Sequence, residues 1–164
     1  MLRHRDEMKP AVYIETTIVS FLTARPSRDP VTSVFIEQTK AWWNQRRMNY
    51  ELFASDVVLR EASQGDVNAA RRRKEVLLTL SVIPATPPAL KLARSFIEHL
   101  AIPPNAADDA VHIAIAAVSE LRYLLTWNCR HIANAEIRPK LEALCALAGH
   151  RCPIICTPLE LMGE

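Results

Sequence analysis

Glycine is scarce in this chain: three residues in 164, against eleven prolines. An all-β sandwich turns tightly many times and uses glycine to do so, so its absence argues for helices joined by stiff, proline-stopped connections. No apolar run approaches the roughly 20 residues of a membrane span. The longest, AVHIAIAAV, is interrupted by His112, and no membrane association is expected. The start, MLRHRDEMK, lacks the apolar core of a secretory signal, which leads to the expectation of a cytoplasmic protein. The cysteines (129, 145, 152 and 156) fall late and form no C-x-x-C pair. His150 is the sole histidine near the Cys152/Cys156 spacing, so reduced thiols fit better than a zinc site. A formal charge of +2 neither requires nor excludes a nucleic-acid partner.

What is present is an apolar fraction of 49%, enough for a folded core, in a length that suits one domain. AVYIE (11–15) is apolar and β-branched and predicts a strand buried on both faces. Further strands are predicted at 50–55, 81–85, 122–127 and 153–156. Between them lie helical patterns: TTIVSFL with Thr16 or Thr17 as its cap, VTSVFIEQTKAWWNQRRM, a helix capped by Asp56, another capped by Asp66 after Gly65, and PPALKLARSFIEHL with prolines at its start. AADDAVHIAIAAVSEL is apolar almost all round and predicts a central buried helix. NAEIRPKLEALCALAG predicts a helix closed by Gly149, and PLELMGE a short terminal helical turn. Alternating strands and helices predict an α/β fold, with a mostly parallel central sheet of about five strands covered by helices on both faces. Residues 1–10 are expected to be a flexible extension and 11–164 the single domain.

Polar residues stand where the apolar strands give way to loops or helices: Glu15 after AVYI, Glu61 in SDVVLRE, Asp108 and Asp109 in NAADDAVHIAIAA, and Asn128 after YLLTW. In an open α/β sheet the ligand crevice lies outside the carboxyl ends of the strands. Carboxylates delivered there from separate segments concentrate negative charge, and such a site calls for a divalent cation. Mg²⁺ or Mn²⁺ takes oxygen ligands and can activate water for phosphodiester hydrolysis.

The four blocks YIETTIVSFL, SDVVLREAS, ADDAVHIAIAAV and LLTWNCRHI, in that order, resemble those of PIN-domain nucleases, and most closely the VapC type of bacterial toxin–antitoxin ribonuclease. The likeness runs from about residue 11 to residue 156. It implies a PIN-like single domain, hydrolysis of RNA phosphodiester bonds, Glu15, Glu61 and Asp109 as ligands to Mg²⁺ or Mn²⁺, and Asn128 as a fourth catalytic residue orienting water or phosphate. It also implies a small antitoxin as partner, docking near the N-terminal region, and a homodimer. Two positions depart from the family: the first acidic residue is usually aspartate, and Asn128 brings no charge. They motivate a competing reading, a catalytically weakened PIN-like module that binds RNA or protein. A metal-dependent phosphatase is a third reading, but no phosphorylatable aspartate with a lysine beside it is evident.

Other residues have two readings. Thr16 and Thr126 either hydrogen-bond the carboxylates or satisfy local backbone. Arg130 and His131 either meet substrate phosphate or are plain surface residues, and RRRK (71–74) reads as a solvated helix face. Asn128 is otherwise a turn cap, and Glu61 by itself a solvated helix residue. His112 reads as a hydrogen-bonded core histidine. Of the adjacent tryptophans, one is expected to pack inward while Trp43 or Trp42 covers a partner surface with Phe35 nearby. Asn105 is expected to cap the buried helix, with Asp108 reaching back in a capping box and Asp109 left for metal.

Overall fold

Four apolar residues in a row, Ala11–Ile14, form the first strand, β1, and Val12, Tyr13 and Ile14 are all fully buried. Consecutive burial requires cover on both faces of a strand, because successive side chains point to opposite sides. The computed structural model describes residues 8–163. Residues 1–7 of the expected extension lie outside the described residues.

After β1 come helices α1 (Thr16–Leu22) and α2 (Pro30–Gln45), strand β2 (Glu51–Ser55), helices α3 (Asp56–Ala62) and α4 (Val67–Leu77), and strand β3 (Ser81–Ile83). Then follow α5 (Pro87–Glu98), α6 (Ala107–Val118), β4 (Tyr123–Leu125), α7 (Arg138–Leu147) and β5 (Ile154–Cys156). The five strands pair in the order β3-β2-β1-β4-β5, every pair parallel. The expected α/β architecture is therefore present. Helices α1 to α4 pack among themselves and α5 packs on α6 and α7, while α3 also touches α6. Strand order reverses at β1: β2 and β3 lie on one side, β4 and β5 on the other. The β1/β4 junction is thus the switch point, outside whose carboxyl strand ends the ligand crevice of such a sheet lies.

Several local expectations are corrected. Ser55, not Asp56, caps α3: its Oγ accepts the Val58 N–H at 3.3 Å. Asp56 instead accepts the N–H groups of Val57 and Ala85, tying the start of α3 to the chain after β3. Neither Thr16 nor Thr17 caps α1, because the cap position belongs to Glu15. Asn105 falls in a short 3₁₀ turn, Pro104–Ala106, and α6 starts without a side-chain cap. Helix α7 begins at Arg138, four residues later than its sequence pattern, with Pro139 in the first turn where its missing N–H is harmless. The residues before it are held in turns by Asn128 and Asn134, whose side-chain oxygens accept the N–H groups of His131 and Glu136. Gly149, at φ +80°, ends that helical segment as expected. Residues 158–161 form turns rather than a turn of helix.

Both tryptophans of α2 face inward. Trp42 is fully buried with its indole N–H donating to the Leu161 carbonyl at 3.2 Å, and Trp43 is 7% exposed beneath the Arg47 guanidinium. Phe35 stacks on Trp127 at a centroid distance of 4.3 Å. The aromatic cluster expected at a partner surface is core instead. This removes the sequence argument for a homodimer at that place. No described helix is long and apolar enough to cross a membrane.

Candidate active site

Glu15 follows the last residue of β1, and its backbone N–H donates to the Leu125 carbonyl of β4. The side chain is therefore delivered into the switch-point crevice, and it is almost completely buried. Two hydroxyls serve its Oε2: Thr17 donates at 2.5 Å and Thr126 at 2.7 Å. Each hydroxyl also accepts a backbone N–H of the segment after β4, Thr17 that of Trp127 and Thr126 that of Asn128, both at 2.9 Å. Thr126 thus takes both of its sequence readings at once. Burial pushes the Glu15 carboxyl above its usual range, while His112 and the two threonines pull the other way.

Glu61 lies on the last turn of α3 and is half-buried. Its Oε1 accepts from His112 Nε2 at 2.9 Å across the α3–α6 contact. Burial would raise this carboxyl, but His112, Thr16 and Arg60 together hold it below its usual value. His112 is fully buried on α6, and its Nδ1 is 2.7 Å from the Tyr13 hydroxyl. Burial works against the imidazolium. Glu61, Glu15 and Asp109 more than offset it, so the imidazole is held more basic than usual. Its expected role as a hydrogen-bonded core histidine is what the structure contains. Donor atoms of Glu15, Glu61 and His112 all lie within 4.8 Å of one another.

Asp109 does not belong to that tight group. It is half-buried at the first turn of α6. Burial raises its carboxyl, the Asn128 side chain and the charges of His112 and His131 lower it, and Glu61 raises it again. Asp109 and Glu61 line one depression, which puts Asp109 at the rim of the same crevice. The Asn128 side chain lies near Asp109, and its Oδ1 accepts the His131 N–H at 3.0 Å, which is the turn-cap reading. A depression of about 420 Å³ opens beside these groups, lined by Glu61, Asp109, His131 and the residues 104–108. Arg130 is exposed and outside that lining.

Asp108 also lines that depression but does not cap the helix start. It pairs with Arg60 at 2.7 Å, each side chain 56% exposed. The capping-box expectation is corrected on this point.

Sequence reasoning missed Tyr13, Ser55 and Thr17. The signal for Tyr13 was present, since a tyrosine inside a fully buried strand must find a partner for its hydroxyl. His112 stands three residues after Asp109, on the same face of one helix, which also marks it as a neighbour of the site.

The residues suit a divalent cation. Carboxylate oxygens of two segments converge, with a third carboxylate at the rim, and hard oxygen donors favour Mg²⁺ or Mn²⁺. The Thr16 hydroxyl is buried near Glu61, close enough to lower its carboxyl, yet makes no hydrogen bond of ordinary geometry.

No family model matches the sequence, and no curated protein does. Two solved structures resemble the fold. VapC20 of Mycobacterium tuberculosis, described as a sarcin–ricin loop cleaving toxin, is 17% identical over 70% of this chain and 87% of its own, with a TM-score of 0.49. A chain of VapBC2 from Rickettsia felis, a structure bound to a DNA fragment from the promoter, is 13% identical over 90% of this chain and 98% of its own, with a TM-score of 0.52. The chain thus shares, over nearly its whole length, the PIN-like α/β fold of a VapBC2 chain.

Proposed function

We propose that this protein is a divalent-metal-dependent endoribonuclease of the VapC type, the toxin of a toxin–antitoxin pair. The observation that carries the reading is the convergence of Glu15 and Glu61 at the β1/β4 switch point, with Asp109 beside Glu61 in the lining of the adjoining depression. The four ordered sequence blocks and the fold shared with VapBC2 support the same reading.

Glu15, Glu61 and Asp109 would hold the cation, Mg²⁺ or Mn²⁺, whose chemistry there would be to polarise the phosphoryl group and lower the pKa of an attacking water. Glu15 is fixed by two threonine hydroxyls, so little side-chain freedom is lost on binding. Asn128 lies against Asp109 and orients water or phosphate by its amide. His131, in the lining of the depression, is placed to meet a phosphate of the RNA. The small antitoxin partner belongs to this reading, as does a dimer, now without the tryptophans as its surface.

Incubating a mixed RNA pool with the protein and Mn²⁺ should give defined fragments. Excess EDTA should stop cleavage, and Asp109→Ala should abolish it. Cleavage that persists unchanged in chelator removes the metal mechanism. RNA binding without cleavage in Mn²⁺ favours the weakened binding module.

A further inference from the structure

Behind the carboxylates, a line of hydrogen bonds runs through the core from one end of α3 to the other. Ser55 Oγ accepts the Val58 N–H at the start of α3 and lies 2.7 Å from the Tyr13 hydroxyl. That hydroxyl lies 2.7 Å from His112 Nδ1, and His112 Nε2 lies 2.9 Å from Glu61 Oε1 on the last turn of the same helix. Four segments of the chain contribute: β1, the end of β2, α3 and α6.

The chemistry of the pairs fixes much of their direction. An ionised carboxylate only accepts, so the hydrogen of the last bond sits on His112 Nε2. Both ring nitrogens are then engaged, one by Glu61 and one by Tyr13, and the ring is fully buried. In this arrangement the imidazole has no lone pair free for a cation. Its effect on the site passes through Glu61. That side chain is long and half-exposed, and three rotatable bonds would otherwise leave it free to swing out of the crevice.

We propose that Tyr13 and His112 are positioning residues: His112, oriented by Tyr13, occupies Oε1 of Glu61, locks its rotamer and leaves Oε2 as the oxygen offered to a divalent cation. This rests on reading the carboxylates as metal ligands. Ser55 anchors the line at its far end, so the start of α3 and its ligand-bearing turn are held by the same bonds.

The test measures Mn²⁺ binding directly, by the loss of the free-ion electron paramagnetic resonance signal, with circular dichroism to verify the fold of each variant. The glutamine amide nitrogen can stand where Nε2 stands, whereas the asparagine amide nitrogen stands where Nδ1 does. His112→Gln should therefore keep Mn²⁺ affinity within about threefold of the parent, and His112→Asn should weaken it roughly tenfold or more, the scale expected for groups that orient a metal ligand. In a Glu61→Gln background, His112→Asn should have no further effect. Equal losses from His112→Gln and His112→Asn would overturn the proposal in favour of the ring itself as ligand or packing element. So would an undiminished effect of His112→Asn in the Glu61→Gln background, or a folded His112→Asn that binds Mn²⁺ like the parent. If the parent protein binds no Mn²⁺, the reading of the carboxylates falls and this proposal with it. If the parent binds and only the variants disagree, the proposal alone falls.

Discussion

The hydroxyl of Thr17 joins two segments that are 110 residues apart: it accepts the Trp127 N–H at 2.9 Å and donates to Glu15 at 2.5 Å. One oxygen therefore satisfies a backbone donor at the exit of β4 and a buried carboxylate at the exit of β1. Thr17→Val keeps the shape and removes both bonds, leaving two polar groups short of a partner. The expected loss is about 1–3 kcal/mol of stability, read from urea unfolding midpoints. A change inside experimental error would show that water replaces the hydroxyl.

Metal-free stability should fall with rising pH. The folded protein holds the Glu15 carboxyl above 4.5, so the stabilising protonated form is fully present below that value and lost as pH rises through the folded pKa. His112 is held above 6.5, and its contribution is likewise present below 6.5 and lost above. Glu61 has the opposite sign: its folded pKa is depressed, so its contribution is present above 4.5 and lost as pH falls through the folded value. Unfolding midpoints in EDTA should thus decline as pH rises above 4.5, and further above 6.5. Glu15→Gln should flatten the curve. Parallel curves for the two proteins would dissociate the decline from Glu15.

Asp108 and Asp109 should separate cleanly. Asp109→Ala should abolish RNA cleavage and leave stability unchanged or slightly raised, since a carboxyl pushed up by burial is relieved. Asp108→Ala breaks only the exposed pair with Arg60. It should cost no more than about 1 kcal/mol and spare turnover. An inactive Asp108→Ala with an active Asp109→Ala would place the site one residue earlier in α6.

Mn²⁺ should raise the melting temperature of the parent protein. At a concentration of 100 times the dissociation constant, the gain is about 2.7 kcal/mol. Asp109→Ala should reduce the shift and a Glu15→Gln, Glu61→Gln double variant should erase it. A full shift in the double variant would locate the ion elsewhere.

The sheet and the strand exits were legible because AVYI and YLL are apolar runs too short for helices, each followed by a polar residue. Glu15, Glu61, Asp109 and Asn128 could be located in this way, from position and from the resemblance together. The supporting bonds were not legible. Whether Ser55 or Asp56 caps α3 depends on which side chain Ala85 and Tyr13 claim, and both lie far off in sequence. The late start of α7 has a similar cause: Asn128 and Asn134 close turns that outcompete helix over residues 128–137. Trp42 and Trp43 were misread because adjacent helix positions usually diverge, yet Leu161 and Arg47 cover both rings.

The central place of β1 has a consequence for synthesis. Its neighbour β4 contains residues 123–125, and the groups that seat Glu15 include Thr126 and Trp127. A chain emerging from the ribosome therefore carries Glu15, Glu61 and Asp109 for some time with no strand to gather them. Until the segment beyond Asn128 is clear of the exit tunnel, the nascent chain has no crevice at the exit of β1.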